Sequence, residues 1–374
     1  MVGTASAPAA PLGGGGRFVT LDSLRGLAAL TVAAHHVQGG GALFSSSYVQ
    51  QGALAVDFFF VLSGFVIAAS YGERLAKGFA LGRFLFLRLG RLYPLHLAVL
   101  AAYVALGAMQ AMLALPGMIL REPFTGGHSP RDLVETLFLV QAWREPRHSL
   151  WSVQSWSISV EIWLFLGLAL LWRWLGGRAW IVAAVLAAVM GLLMVGGNWS
   201  RFGVPPLDFV RGIAGFALGV CCWRLRALGV PRLGSGAATV VEMATLALAW
   251  SVMAGFAPDH LVLPLADLAF AAVVLAFAGD RGALSWLLAR PVFTWLGVLS
   301  YSIYMVHGMV IGRLTDLLRL AGLAEMAEEH GYSVRRMTIG DPLLADAAAL
   351  GLLAASVAVA WVTWRFIEEP AREW

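Results

Sequence analysis

Ten apolar stretches, each close to the length of a bilayer crossing, recur along the chain: 19–37, 53–71, 92–114, 153–172, 179–196, 207–223, 238–256, 262–278, 294–313 and 344–364. A helix needs about 20 mostly apolar residues to span the hydrocarbon core. Within that core each backbone N–H and C=O must find a partner inside the protein, and an α-helix supplies them internally. The pattern therefore predicts an all-α polytopic membrane protein with about ten transmembrane helices. Composition agrees, with 59% hydrophobic and 13% charged residues, where a soluble domain carries about 25% charged. Residues 1–17, MVGTASAPAAPLGGGGR, lack the basic start and apolar middle of a signal peptide. They are read as a disordered N-terminal tail, and residues 18–374 as one membrane domain.

Basic residues orient the layout. With the N-terminus in the cytoplasm, fifteen Lys and Arg fall on the inner side, nine on the outer side, and Arg25 and Arg211 within helices. Cytoplasmic loops carry the basic excess, so both termini are expected inside. The formal charge of +4 then reflects topology, and no nucleic-acid partner is expected. Cys221 and Cys222 sit side by side in an apolar run. They have no metal-ligand spacing, and no metal is predicted. Two long outer connections, 115–152 and 314–343, are of the length that is commonly functional or flexible. The sequon-like Asn198-Trp199-Ser200 falls in a third.

The first apolar stretch carries charge. In LRGLAALTVAAHHV, Arg25 and His36 are eleven residues apart. At 100° per residue that is about 1100°, some 20° from three full turns, with an axial separation of roughly 16 Å. The two share a helix face, and His35 points elsewhere. Ionisable residues inside a bilayer are costly and tend to line a cavity or pathway. The alternatives are a structural pair or an arginine snorkelling to the interface. Asp57, in VDFFFVLSGF, lies at a depth like that of His36. There a carboxylate either orients the imidazole or pairs with an arginine to fix packing. Ser63-Gly64 in the same segment suits close helix approach. Arg83, Arg88 and Arg91 precede Tyr93-Pro94 on the inner side, with Pro94 suited to the first turn of the third helix. They are either a topology signal or, with Arg88 and Arg91 three apart, a phosphate clamp.

Glu161, in QSWSISVEIW, lies near mid-membrane and needs a function or an arginine partner. Trp156 and Trp163 read as packing or interface anchors. In the ninth stretch, TWLGVLSYSIYMVHGMV, Tyr301 and Tyr304 are three apart and His307 lies in the outer half. No Walker motif, GxGxxG after a strand, HExxH or GxSxG is present. Any nucleotide-bearing ligand must then be held by something other than a familiar loop.

In this order, the motifs resemble the integral-membrane acyltransferase-3 family, which includes bacterial O-antigen O-acetyltransferases. The resemblance rests on the Arg25/His36 pair, VDFFFVLSGF with Asp57, Ser63 and Gly64, and Arg88-x-x-Arg91 before Tyr-Pro. WSISVE with Trp156 and Glu161, LSYSIYMVH with Tyr301, Tyr304 and His307, and the terminal IEEP with Glu368 complete it. It runs from residue 21 to residue 370. Glu369 stands where the family's terminal motif often has a basic residue. Some members append a soluble esterase-like domain, and none is expected here, since the sequence ends at Trp374.

The resemblance implies ten membrane helices in the bacterial inner (plasma) membrane. It implies an acyl-CoA donor, acetyl-CoA by default, used from the cytoplasm. The acyl group would go to a hydroxyl of a cell-surface carbohydrate or lipid-linked glycan, as in lipopolysaccharide, and membrane lipids complete the expected partners. It further implies that Arg25, His36, Arg88, Arg91 and Glu161 matter for activity. On this reading Arg83, Arg88 and Arg91 hold the CoA phosphates, with Tyr301 and His307 grouped among the donor-binding residues. The pantetheine arm passes Arg25 towards His36, the general base, whose tautomer Asp57 fixes. Arg25 or Glu161 positions the donor, or Arg25 stabilises the oxyanion. An acyl-histidine route stays open. So do a macrolide-like acceptor handled on the inner side, a transporter or flippase using the same polar residues, and a non-catalytic sugar or lipid receptor.

Overall fold

The computed structural model describes residues 18–39, 41–113, 124–144, 151–196, 207–229, 233–329 and 332–372. The 1–17 tail and the Asn198 sequon lie outside them. The described chain is an assembly of helices: α1 (Val19–His35), α2 (Ala55–Ile67), α3 (Leu81–Met112), α4 (Pro130–Leu137), α5 (Ser155–Leu175) and α6 (Ala179–Gly196). After these come α7 (Leu207–Ala227), α8 (Ser235–Ser251), α9 (Val262–Phe277), α10 (Pro291–Leu320) and α11 (Pro342–Thr363). Along α6, Ile181, Val185, Val189 and Leu192 form an exposed apolar stripe. Such a stripe marks a surface made for a membrane or a partner. With the apolar helices around it, it makes the chain an integral membrane protein.

Seven continuous helical stretches among the described residues are long and apolar enough to cross a membrane. The expected count of about ten is not reached by length and hydropathy, and the reasons are local. Helix α1 is only 17 residues long. Helix α7 carries Asp208, Arg211, Arg224 and Arg226. Helices α5 and α6 belong to one stretch, Ser155–Val195, which is interrupted where Gly176 takes φ 53°.

Glycines set the closest helix approaches. A Cβ on Gly26 of α1 would lie 2.5 Å from the Leu296 carbonyl carbon, and one on Gly297 of α10 would lie 2.4 Å from Asp22 O. The α1 and α10 backbones therefore touch. Helices α2 and α7 meet likewise, with Gly64 against Phe216 and Gly219 against Val61. Small residues permit such contact in membranes, as expected for Ser63-Gly64.

Three expectations are corrected. Pro94 is inside α3 and not in its first turn, because that helix begins thirteen residues earlier, at Leu81. Arg83, Arg88 and Arg91 are thus all helical. The connection read as 314–343 is largely ordered: α10 continues to Leu320, followed by a hairpin of β1 (Ala324–Glu329) and β2 (Tyr332–Met337), with Ala324 opposite Met337. Met337 N donates to Gln38 O at 3.0 Å, tying the hairpin to the segment after His36. The connection read as 115–152 contains α4, started by Pro130 and capped by Ser129, which accepts from Asp132 N. Tyr93 donates to Leu137 O at 2.7 Å, fastening this segment to α3.

Candidate active site

Helices α1 and α10 run side by side in the same direction, and the polar face of α1 is turned onto α10. Arg25 Nε donates to Ser300 Oγ at 2.8 Å, and its Nη2 donates to Gly297 O at 3.0 Å. Further along the same face, the His36 ring packs edge-on against His307, with centroids 4.9 Å apart. The eleven-residue spacing thus does put Arg25 and His36 on one face, each against α10. His36 Nδ1 lies 2.9 Å from Val32 O. A carbonyl oxygen only accepts, so Nδ1 carries the hydrogen and Nε2 keeps its lone pair. The same reasoning applies to His307, whose Nδ1 lies 3.2 Å from Ile303 O. His307 is fully buried and its Nε2 has no hydrogen-bond partner. His36 is exposed.

A cavity of about 120 Å³ lies between α1, α2, α3, α5 and α10. Arg25, Arg88 and Arg91 line it together with Ser63 and Glu161, and Ser157 and Tyr304 also border it. Leu62, Val66, Ile158 and Phe165 supply apolar wall. Ser63 Oγ donates to Glu161 Oε1 at 2.6 Å. The Arg88 guanidinium sits 4.7 Å from the Tyr71 ring centre, with Phe165 and Phe84 at 5.7 and 5.8 Å. Aromatic faces hold a cation without using its N–H groups, and Arg88 Nε has no hydrogen-bond partner. Tyr304 Oη bonds Ser157 Oγ at 2.7 Å and donates to Gln154 O at 3.1 Å. Its ring lies 5.8 Å from His307. Polar groups therefore succeed one another from the arginines through Glu161, Tyr304 and His307 to His36.

The model of a family described as an acyltransferase domain matches residues 18–365. The chain belongs to the acyltransferase-3 family. It is 28% identical over 388 residues to acyltransferase MdmB of Streptomyces mycarofaciens, covering 95% of this chain and 91% of that protein. It is 45% identical over 102 residues to protein 2 in the picA locus of Rhizobium radiobacter, covering 27% of this chain and 51% of that protein. No solved structure gives a significant match.

In this acyltransferase Arg25, Arg88, Arg91, Glu161 and Tyr301 all line the one cavity. Other residues singled out in the sequence are elsewhere. Asp57 was expected to orient His36, but both its oxygens accept from Arg211 of α7, at 3.0 and 2.8 Å. Val32 O takes the tautomer-fixing role instead. The Asp57–Arg211 pair is buried, with the guanidinium 5.4 Å from the Trp156 ring centre. His307 was grouped with donor-binding residues and instead packs on His36. Six residues from Tyr301 make 600°, which leaves the two about 120° apart on the helix. Arg83 is exposed on α3 and is not among the residues lining the cavity. Five residues from Arg88, it points about 140° away.

Ser157, Ser300 and Arg372 were missed. Ser157 was findable, since it is four residues before Glu161 on the same helix face. Arg372 pairs with Glu368, which is buried and also accepts from Ser302 Oγ at 2.7 Å. Its charge acts on Arg91 and Arg25. Trp156 is a buried packing residue, while Trp163 is exposed and donates to Leu139 O at 3.1 Å. Cys222 is buried against Ala271 O. Among the described residues no group of three or more His, Cys, Asp or Glu could hold a metal ion.

Proposed function

We propose that this chain is a membrane O-acyltransferase that takes an acyl group, acetyl by default, from cytoplasmic acyl-CoA. It delivers that group to a hydroxyl of a cell-surface carbohydrate or glycolipid. The topology proposed with it is ten crossings of the bacterial inner membrane, both termini cytoplasmic. The observation that carries the reading is the continuous run from an arginine-lined cavity to a histidine whose Nε2 has a lone pair.

The residues fit the donor. Arg88 and Arg91 present forked N–H donors suited to phosphate oxygens. The aromatic bed under Arg88 leaves its Nε available for such an oxygen. The apolar wall suits a thioester-bearing arm. Arg25 is roughly 16 Å along α1 from His36, so it serves as a positioning residue for the donor and not as the oxyanion partner at His36. Glu161, held by Ser63, opposes the arginine charge within the cavity.

His36 Nε2 then takes the proton of the acceptor hydroxyl as general base. The hydroxyl oxygen bonds to the thioester carbonyl carbon, the C–S bond breaks, and His36 returns the proton to the leaving thiolate. The test is free-thiol release from acetyl-CoA by protein in nanodiscs, with a panel of glycan acceptors and His36→Ala alongside. Turnover lost in the variant, with donor binding kept, supports the reading. Absence of both turnover and CoA binding overturns it.

A further inference from the structure

Beyond the histidines, α10 carries a lane that the acyl-transfer scheme does not use. Gly308, Gly312 and Asp316 are spaced by four, each turned about 40° from the last, and so lie within about 80° of one another on the helix. The two glycines strip that lane of side chains. The Gln154 amide lies directly on Gly308, where an added Cβ would be 1.3 Å from Nε2. The Arg335 guanidinium lies 4.0 Å from where a Cβ on Gly312 would be. Asp316 accepts from Arg335 Nε at 2.7 Å and lies 3.0 Å from Arg313 Nη1. Tyr103 of α3 is buried near Gln154, Arg313 and Arg335. Arg335 arrives on β2, whose last residue is bonded to Gln38, two positions after His36. The cluster is therefore built around the end of the path where His36 is exposed.

Its hydrogen-bonding capacity points to a ligand. Gln154 is 6% exposed and its Oε1 has no hydrogen-bond partner. Arg313 Nε is buried without one, while its Nη1 is ion-paired with Asp316 at 3.0 Å. Buried polar atoms in native structures are nearly always bonded to protein, water or ligand. Here a spare acceptor on Gln154 and a spare cationic donor on Arg313 both border Tyr103. An acidic sugar matches both, since its hydroxyl donates and its carboxylate accepts from guanidinium in a charge-assisted pair.

Resting on the acyltransferase reading above, we infer that Arg313, Arg335, Gln154 and Tyr103 form the acceptor subsite and select a carboxylate-bearing sugar. The carboxylate sits about 9 Å along α10 from His307, six residues at about 1.5 Å each. That spacing sets which hydroxyl of the acceptor reaches His36.

The test is equilibrium binding of an oligogalacturonate, and of its methyl ester, to the full chain in phosphatidylcholine nanodiscs. The acid is expected to bind about tenfold tighter than the ester, with affinity falling as salt rises. Arg313→Gln and Arg335→Gln each remove that preference while ester binding is unchanged. Gly312→Leu, which alters no charge, weakens both ligands by filling the lane. Equal binding of acid and ester, no binding of either, or equal losses for both in the arginine variants overturns the inference. So does loss of acid binding in phosphatidylglycerol discs, which would make the cluster a lipid-headgroup site. Acetyl-CoA binding measured on the same preparations reports separately on the donor reading, so either idea can fail without the other.

Discussion

At the end of the path where α1 begins, the wall is guanidinium: Arg25, Arg88 and Arg91 around Glu161, with Arg372 close by. At the other end are two imidazoles, each with Nδ1 committed to its own helix backbone and Nε2 left as an acceptor. The first set is always charged and suited to holding an anion. The second is uncharged in the tautomers described and suited to moving a proton. On the proposed function the contrast separates binding from chemistry along one helix pair, so changes at the two ends should read out in different kinetic constants.

The largest expected effect is at the histidine end. His36→Ala should lower kcat by about 10²- to 10⁴-fold, the usual worth of a positioned general base, while the Kd for acetyl-CoA stays unchanged. A matched loss of donor affinity would erase the division between the two ends. Next in size is a change that tests the scaffold between them. Asp57→Asn leaves Arg211 as a buried charge without its carboxylate, which costs about 3–5 kcal/mol, measured as a lowered unfolding midpoint in detergent. Adding Arg211→Met should recover much of that loss. If Asp57→Asn instead lowers kcat with the midpoint unchanged, Asp57 belongs with the histidines after all. At the arginine end, Arg88→Ala should weaken donor binding about tenfold or more, at the scale of a lost charge-assisted hydrogen bond. Arg88→Lys should recover only part of it, because an ammonium lacks the planar fork. A drop in kcat with donor affinity intact would move Arg88 from binding to chemistry.

What could be read before the structure depended on whether partners were near in sequence. Arg25 and His36 share a helix, so the 3.6-residue period fixed their common face, and α10 is where both end. Arg88 and Arg91, and Ser157 and Glu161, are legible for the same reason. The Asp57 partner was not, since Arg211 lies 154 residues away and nothing local distinguishes it from a snorkelling arginine. His307 was legible as a residue of the outer half, where it packs on His36, but grouping it with Tyr301 overlooked the six residues that rotate the two about 120° apart. The β1–β2 hairpin escaped notice because AEMAEE is rich in helix formers. Its register is closed by Met337 bonding to Gln38, a contact between distant parts of the chain. Helix number suffered from the opposite problem: apolar windows were counted in the sequence, while α1 is only 17 residues long and α7 carries four charged residues, Arg211 among them.

Tyr301 is where the comparison between the two ends can be sharpened most finely. It lines the cavity, which suits the donor-binding role expected of it. Yet its hydroxyl already donates to Leu92 O on α3, one residue after Arg91 and two before Pro94. Pro94 removes the amide that would bond Gly90 O, four residues back, so the tether to Leu92 meets α3 within a turn that lacks one of its own bonds. The phenol thus ties α10 to the helix that carries Arg88 and Arg91. Tyr301→Phe should cost about 0.5–1.5 kcal/mol of stability, the net worth of one neutral hydrogen bond. It should leave kcat unchanged and raise the donor KM less than Arg88→Ala does, because the ring still fills its place and only the tether is lost. A KM change as large as that of Arg88→Ala, with no loss of stability, would mean that the hydroxyl turns from Leu92 to the donor when the donor arrives. The arginine end would then rearrange on binding, unlike the histidine end, where Val32 and Ile303 hold both rings by their own helices.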